Sequence, residues 1–321
     1  MRIFTLFSIL ILALLGSLLL AISTGSVSLS ANEILQALNN EQHLAYTLVF
    51  ELRLPRAVAA LCCGGMLALA GLLMQALLRN PLADPYVLGV SGGAASAALL
   101  AILAGMGALV IQAAAFAGAL VSILLVFLLA HRQGCWTSNR LLLTGVILAA
   151  GWNAFISFLL TLSPDTQIHG MLFWLMGDLS HARINIYEGS FLLLMTFVSF
   201  IFARHLNLIA RGELQAAALG VNTAVIRITI FFTASLLTAV AISLAGSIGF
   251  IGLIAPHMLR LVIGSNHRVL IPASVLLGGT LLLLADTLAR TALAPTQLPV
   301  GILTAFIGVP AFLYLLYRSK S

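Results

Sequence analysis

One serine of this chain lies in a short pattern that serine hydrolases use. Gly89-Val-Ser-Gly-Gly93 matches G-x-S-x-G, in which the serine attacks a carbonyl carbon after a histidine base takes its proton. In such enzymes the serine follows a strand, whereas Ser91 falls inside an apolar helical segment, and His257 is the only histidine well inside such a segment. Packing of small residues explains the pattern better. An intramembrane serine protease that uses Ser91 and His257 remains an alternative from another class.

The chain cannot bind ATP through a phosphate-binding loop of the Walker A type. That loop requires G-x-x-x-x-G-K-[ST], and Lys320 is the only lysine. Cys62 and Cys63 lie in an apolar segment and Cys135 lies in a polar loop, without the spacing of a zinc site. Nothing at helical spacing gives His257 further metal ligands. We therefore predict no catalytic residue, no metal site and no disulfide framework.

Arginines at the start of an apolar segment are candidates for binding a partner. Arg53 and Arg56 enclose a Leu-Pro pair, and their guanidinium groups can make bidentate bonds to carboxylates. They can equally bind lipid headgroups or loop carbonyls. Asp286 lies four residues before Arg290, so these two side chains can form an internal pair on one helix face. A docking surface and a purely structural role are both open for these charges.

The composition places most of the chain in lipid. Among its 321 residues 61% are hydrophobic and 7% are charged, with a mean hydropathy of +1.14, whereas soluble proteins carry about 25% charged residues. The basic residues are scattered singly, which argues against a nucleic-acid surface. Residues 3–23 are long enough to span a bilayer and precede further apolar runs, so we predict an uncleaved helix instead of a signal peptide. We predict one transmembrane domain over residues 1–321.

Apolar runs separated by polar residues predict an all-α bundle of about ten transmembrane helices. The predicted spans are 3–23, 57–78, 86–105, 108–130, 140–162, 187–203, 223–246, 248–263, 269–290 and 299–317. With a cytoplasmic amino terminus, the inner side holds Arg2, Arg79, Arg132, Arg140, Arg204, Arg211, Arg227, Arg260, Arg268, Arg318 and Lys320. The outer side holds only Arg53, Arg56, Arg183 and Arg290. This asymmetry predicts that both termini are cytoplasmic, and the second-to-fifth and seventh-to-tenth spans form an inverted repeat.

Local patterns predict several features between the spans. Asp84 is expected to cap a helix that has Pro85 at its first position. Gly252 and Pro256 predict a kinked or broken helix. A short interfacial helix is expected near residues 171–176, and a cytoplasmic helical stretch near residues 207–220.

Four separate motifs, in order along the chain, carry a family resemblance. They are Arg53-Leu-Pro-Arg56, Gln75-Ala-Leu-Leu-Arg-Asn-Pro-Leu-Ala-Asp-Pro-Tyr-Val-Leu-Gly-Val-Ser-Gly-Gly93, Gly249-Phe-Ile-Gly-Leu-Ile-Ala-Pro-His257 and Leu298-Pro-Val-Gly-Ile-Leu-Thr-Ala305. With them the chain resembles the permeases of iron-siderophore, haem and vitamin B12 importers. The resemblance spans almost the entire chain and is closest to the vitamin B12 permeases.

The resemblance implies a transport subunit in the inner membrane of a prokaryote. It implies a homodimer in membrane lipid, two cytoplasmic ATPase subunits that bind the ATP, and a substrate-binding protein that docks outside. The chain itself would hold no cofactor. The implied substrate is a metal chelate, either vitamin B12 or a ferric siderophore, with haem as the alternative. A channel that needs no energy source is a third hypothesis.

The resemblance also implies roles for particular residues. Docking to glutamates of the binding protein would use Arg53, Arg56 and Arg290. Coupling to the ATPase would use Leu208, Arg211, Gly212, Glu213, Ala217, Leu219 and Gly220, with Arg211 in place of a more usual apolar residue. A cytoplasmic gate would include Ser138 and Asn139, where the asparagine replaces a serine.

Replacing Ser91 separates the transport and protease hypotheses. We expect a Ser91→Ala variant to keep full transport activity, because this serine is predicted only to pack. Uptake of the substrate by membrane vesicles measures the transport activity. A loss of activity without a loss of protein would support the protease.

Overall fold

The computed structural model describes residues 3–25, 44–131, 138–180, 182 and 186–318, and the regular structure in these residues is helical. The helices are α1 (Ile3–Ser23), α2 (Leu44–Leu78), α3 (Val90–Leu103), α4 (Ala108–His131), α5 (Ser138–Leu162), α6 (Asp165–Met176), α7 (Ile186–Ile201), α8 (Ala203–Arg211), α9 (Glu213–Ala218), α10 (Thr223–Ala245), α11 (Ile251–Ile263), α12 (His267–Thr291) and α13 (Val300–Arg318). Several residues named above lie outside the described residues: Arg2, Arg132, Cys135, Arg183 and Lys320.

Within the described ranges, six helices are long and apolar enough to cross a membrane: α1, α2, α4, α5, α10 and α12. Helices α7 and α8 are bent by 54° and would add a seventh span if they count as one. Helices α3, α11 and α13 are apolar but shorter. The prediction of an all-helical, multi-pass membrane protein is confirmed, whereas ten spans, cytoplasmic termini and an inverted repeat stay predictions.

Helix α2 forms the centre of the bundle. In its most apolar stretch 83% of the residues are buried inside the protein, against 17% in α1. It packs against α10, α11 and α12. Gly71 lies directly against the backbone of Gly252 in α11, and Gly64 lies against that of Gly278 in α12. Such close approach compensates for the lack of a hydrophobic driving force between helices in lipid.

The loop after α2 is ordered by local hydrogen bonds. Arg79 ends the helix in a left-handed conformation with φ of 47°. The Asp84 carboxylate accepts a 2.8 Å hydrogen bond from the Tyr86 amide, and Pro85 begins a 3-10 turn, Pro85–Leu88, which confirms the predicted cap. Burial raises the pKa of the Asp84 carboxyl to about 6, against the effect of that amide hydrogen bond.

The predicted break at Gly252 and Pro256 is not found, and a kink there stays a prediction. Helix α11 runs from Ile251 to Ile263 with Pro256 inside it, so the helix is not broken at the proline. The chain instead turns between α10 and α11, where Gly246 has a φ of 67° and Phe250 a φ of 71°. A bulky residue in the left-handed region is a strained conformation.

The two predicted segments outside the spans both form helices. Helix α6 includes residues 171–176 and begins earlier, at Asp165. The segment predicted as cytoplasmic forms α8 and α9, separated by Gly212 with a φ of 146°. Ser91 is the second residue of α3, as expected for a helical position.

The contact at Gly71 gives a direct test of the packing. A methyl group there would collide with the Gly252 backbone, so we expect Gly71→Ala to destabilise the protein by about 1–3 kcal/mol, the usual range for overpacking. Gly16 in α1 has no neighbouring heavy atom within 4 Å of an added methyl, and Gly16→Ala serves as the control. Thermal unfolding in detergent measures both, and equal midpoints would contradict the packing.

Candidate functional site: charge clusters at the two ends of helix α2

The Asp286 cluster consists of Asp286 in α12 with Arg56 and Arg290. The Arg56 Nε donates to both carboxylate oxygens of Asp286, at 3.0 and 3.1 Å, and its Nη2 donates to Oδ1 at 2.8 Å. The Arg290 Nε donates to Oδ2 at 3.1 Å. Asp286 has no solvent exposure, so the carboxylate is neutralised entirely by these two guanidinium groups.

Further hydrogen bonds join this cluster to neighbouring segments. The Arg56 Nη1 donates to Gln297 Oε1 at 2.9 Å, and its Nη2 lies 4.0 Å from the Asp178 carboxylate. The Arg290 Nη2 donates to the Ala21 carbonyl of α1 at 3.3 Å. The cluster therefore fastens α1, α2 and α12 together at one end of the bundle.

Arg53 lies beside the cluster and binds the end of α1. Its Nη1 donates to the carbonyls of Ile22 and Ser23, at 2.6 and 3.1 Å. These carbonyls belong to the last turn of α1, which has no intrahelical partners for them. In this structure Arg53 therefore caps the carboxyl end of α1.

The structure brings all three predicted docking arginines to the same end of the bundle. Their exposed fractions are only 5% for Arg53, 8% for Arg56 and 6% for Arg290. The predicted pair between Asp286 and Arg290 is confirmed. Sequence reasoning missed Arg56 as the main partner of Asp286, because 230 positions separate the two residues. Docking to another protein by these arginines stays a prediction.

A cavity of about 540 Å³ opens next to the Asp286 cluster. Asp178 and Gln297 line it, together with His169 and Trp174 of α6. Its wall therefore combines aromatic surface with hydrogen-bonding groups. No group of three or more potential metal ligands occurs among the residues that the structure describes. No local sequence pattern predicts this cavity, because its polar lining comes from several helices and loops that are far apart in the sequence.

The Glu213 cluster lies at the other end of α2. The Arg79 Nη2 is 2.6 Å from Glu213 Oε2, and the Arg227 Nη1 donates to Oε1 at 2.9 Å. Glu213 is the first residue of α9, where the helix dipole also stabilises the negative charge of a carboxylate. One carboxylate thereby connects α9 to the end of α2 and to the beginning of α10.

Helix α8 is fixed to the bundle beside this cluster. The Asn207 side chain accepts a 2.8 Å hydrogen bond from the His267 amide and donates a 3.0 Å hydrogen bond to Asn266 Oδ1. Leu206 and Ile209 are buried. Helix α8 is therefore held against the bundle by hydrogen bonds and buried side chains, and Glu213 holds α9 beside the end of α2.

The predicted coupling residues divide by exposure. The exposed members are Arg211, Ala217, Leu219 and Gly220, and the half-buried members are Leu208, Gly212 and Glu213. Leu214, which the sequence prediction omitted, is 88% exposed. An apolar side chain between polar neighbours was the signal that could have identified it. The pairs of Glu213 with Arg79 and Arg227 were also missed, since they join residues of different helices, 134 and 14 positions apart.

The remaining predicted residues are not brought together. Asn139 is exposed near the beginning of α5, and the side chain of Ser138 lies outside the described residues. The ring of His257 packs against Phe312, and both of its ring nitrogens lack a hydrogen-bond partner within the described part of the chain. Ser91 and His257 therefore do not form the hydrogen-bonded pair that a serine protease requires.

The long apolar helices define a multi-pass membrane protein. Residues 10–318 match the FecCD transport family, and the chain belongs to that family. The cobalamin import system permease protein of Halobacterium salinarum is 42% identical over 275 residues, 85% of this chain and 74% of that protein. The Fe(3+) dicitrate transport system permease protein FecD of Escherichia coli K12 is 37% identical over 313 residues, 96% of this chain and 97% of that protein. A solved metal-chelate type ABC transporter in an inward-facing conformation superposes with a TM-score of 0.88 at 33% identity, covering 98% of this chain and 99% of that one.

Replacing Asp286 tests whether its cluster holds the helices together. We expect Asp286→Asn to destabilise the protein by about 3–5 kcal/mol, because two buried guanidinium groups lose their counter-charge. The exposed Asp165 at the start of α6 provides the control. Asp165→Asn should cost less than about 1 kcal/mol, the usual size of a surface charge effect at a helix end. Thermal unfolding in detergent measures the stability of both variants. Equal losses of stability for Asp286→Asn and Asp165→Asn would contradict this role.

Proposed function

We propose that this chain is the membrane permease of an ATP-binding-cassette importer for metal chelates, located in the plasma membrane of a prokaryote. The observation that carries the proposal is similarity over the whole chain, to the family over residues 10–318 and to a metal-chelate type ABC transporter over 98% of the chain. The chain is a transport subunit and not an enzyme. ATP is bound and hydrolysed by a separate ATPase subunit, in keeping with Lys320 as the only lysine.

The proposed topology has ten spans with both termini in the cytoplasm, arranged as an inverted repeat. It is supported by the six long helices, the bent pair α7 and α8, and the three shorter apolar helices, which follow the order of the ten predicted apolar runs. In this topology the Asp286 cluster lies at the outer surface and the Glu213 cluster at the inner one. The single transmembrane domain covers residues 1–321.

Helices α8 and α9 are the proposed docking site for the ATPase. Leu214 and Leu219 are exposed, with exposed fractions of 88% and 68%. Exposed apolar side chains on helices that are held against the bundle are suited to a protein interface. The proposed coupling residues remain Leu208, Arg211, Gly212, Glu213, Ala217, Leu219 and Gly220, to which we add Leu214. Glu213 would pass movement of the docked ATPase to α2 and α10 through its two arginines.

The outer arginines are the proposed docking site for the substrate-binding protein. Arg56 and Arg290 pair with Asp286, and Arg56 also lies 4.0 Å from the carboxylate of Asp178. With Arg53 beside them, three guanidinium groups face two carboxylates, so this group of side chains keeps a net positive charge. Such a surface attracts carboxylates of a partner and orients its approach. Because the three side chains are almost buried, docking glutamates would have to reach into this end of the bundle.

We further propose that two copies of the chain form the translocation pathway between them. Helix α5 exposes Asn153, Ser157 and Thr161 along a segment long enough to span the membrane. An amide is unfavourable against lipid, so this face suits a partner subunit or an aqueous path. Ser138 and Asn139, at the proposed cytoplasmic end of the same helix, are the proposed gate.

The proposed substrate is vitamin B12 or a ferric siderophore, with haem as the alternative. The relatives described above import cobalamin and ferric dicitrate, as their names state. We propose no cofactor on this chain, with ATP on the partner subunit. The rigid side-chain clusters stabilise helices and do not form a closed chelate pocket, so the binding protein would contribute much of the selectivity.

Purification of the tagged chain from its native membrane tests the proposed assembly. We expect an ATPase to co-purify and to hydrolyse ATP in the complex. Leu214→Asp should lower the recovered ATPase at least about tenfold, because it places a charge in the proposed interface, where single residues often account for 2 kcal/mol or more.

Leu293→Asp makes the same change at an exposed leucine near the opposite end of α2 and should leave recovery unchanged. A wild-type chain that purifies alone and without ATPase activity would overturn the proposed function. An ATPase that binds both variants equally would overturn only the docking site.

A further inference from the structure

The hydroxyl of Tyr86 holds the turn between α10 and α11. It donates a 2.9 Å hydrogen bond to the Ile248 carbonyl and accepts a 3.0 Å hydrogen bond from the Ile248 amide. A phenol has one proton to donate, so a single side chain satisfies both backbone groups of one residue. The turn, residues 246–250, has no regular helical structure of its own. Tyr86 therefore replaces the hydrogen bonds that a helix would have given Ile248.

The 246–250 turn touches the two elements next to the cavity. Directly before the turn, the carbonyl of Ala245 at the end of α10 accepts a 2.9 Å hydrogen bond from the amide of Asp178, which lies just after α6. A methyl group at Gly246 would collide with the Trp174 carbonyl of α6, and one at Gly301 would lie 3.1 Å from the Ser247 carbonyl. The end of α6 and the beginning of α13 thus rest directly on the turn that Tyr86 holds.

The same turn is conformationally strained. Phe250 occupies the left-handed region with a φ of 71°, and its ring packs against Gly308 of α13. A bulky residue stays in this region only when its surroundings enforce it, and such strain is concentrated at segments that switch. Hinges often consist of a few such positions at the ends of helices.

Two rigid routes connect this turn to the Glu213 cluster. One follows α10 from Arg227 to Ala245. The other follows the ordered loop from Arg79 to Tyr86, in which the Asp84 cap fixes the 3-10 turn. Both routes begin at the Glu213 carboxylate and meet at Ile248. Relative movement of α2 and α10 would therefore act on the hydrogen bonds of Tyr86.

We propose that the Tyr86 hydroxyl is a positioning residue for transport, which transmits displacement of α9 to the ends of α6 and α13 through the 246–250 turn. This inference rests on the proposed function, because the displacement would come from the docked ATPase. Its geometric basis is the pair of hydrogen bonds to Ile248, the strained turn and the direct contacts of that turn with α6 and α13. Without the hydroxyl, ATP hydrolysis would proceed while less chelate crosses the membrane for each ATP.

Tyr86→Phe removes the two hydrogen bonds and keeps the aromatic ring. The test reconstitutes the complete complex, with its ATPase and binding protein, and measures uptake of cyanocobalamin, ferric dicitrate and hemin together with ATP hydrolysis. We expect uptake per ATP to fall about fivefold or more, the lower end of known couplings between sites. Tyr187→Phe removes a hydroxyl at an exposed position in α7 and should match the wild type.

The outcomes separate the coupling role from a merely structural one and from the proposed function. A structural role would lower the amount of folded complex but leave uptake per ATP unchanged, which would overturn the inference. Wild-type complex that takes up none of the three chelates would contradict the proposed function, and the inference with it. If Tyr86→Phe does not fold, hydrogen exchange of the backbone amides of residues 246–250 in the wild-type complex tests whether the turn responds to ATP. Exchange that differs between ATP-bound and nucleotide-free complex supports the inference, and identical exchange overturns it.

Discussion

Helix α2 passes through the centre of the bundle, with 83% of its most apolar stretch buried inside the protein, and the remaining structure depends on how it is held there. Apolar side chains alone cannot hold it, because lipid is as apolar as leucine. Close backbone contacts at Gly64 and Gly71 supply the dispersion energy. Charges fix α2 at Arg56, which binds Asp286, and at Arg79 directly after its last residue, which binds Glu213. A helix fixed in this way can transmit force between the two clusters.

The two clusters differ in ways that suit their proposed tasks. Asp286 is fully buried between two arginines, and disruption of that cluster would leave an uncompensated charge inside the protein. The Asp286 cluster therefore holds its helices together permanently. Glu213 is partly exposed at the start of a short helix, and its pair with Arg79 is open to solvent, whereas Arg227 is buried. A fully buried Asp286 cluster and a partly exposed Glu213 cluster would let the end of the bundle at Glu213 respond to a partner without loosening the helices.

Composition and local spacing predicted the class of fold and some of the contacts. Apolar runs located the helices because a bilayer requires about 20 such residues. The cap at Asp84 was predicted from the Pro85 that follows it, and the pair of Asp286 with Arg290 from a spacing of four residues. The bonds between Arg56 and Asp286, and between Tyr86 and Ile248, join positions 230 and 162 residues apart, and no local pattern records them. The sequence likewise could not tell that Arg53, Arg56 and Arg290 are buried, since that depends on where α1 and α12 pack.

As the permease of an importer, this chain would move a metal chelate only with energy from a separate ATPase. The most direct measurement is chelate uptake into proteoliposomes that contain the chain, its ATPase and its binding protein, compared with vesicles that lack one component or ATP. We expect uptake of cyanocobalamin, ferric dicitrate or hemin that needs ATP and all three proteins. Equal uptake without ATP or without the ATPase would show a channel instead of an importer.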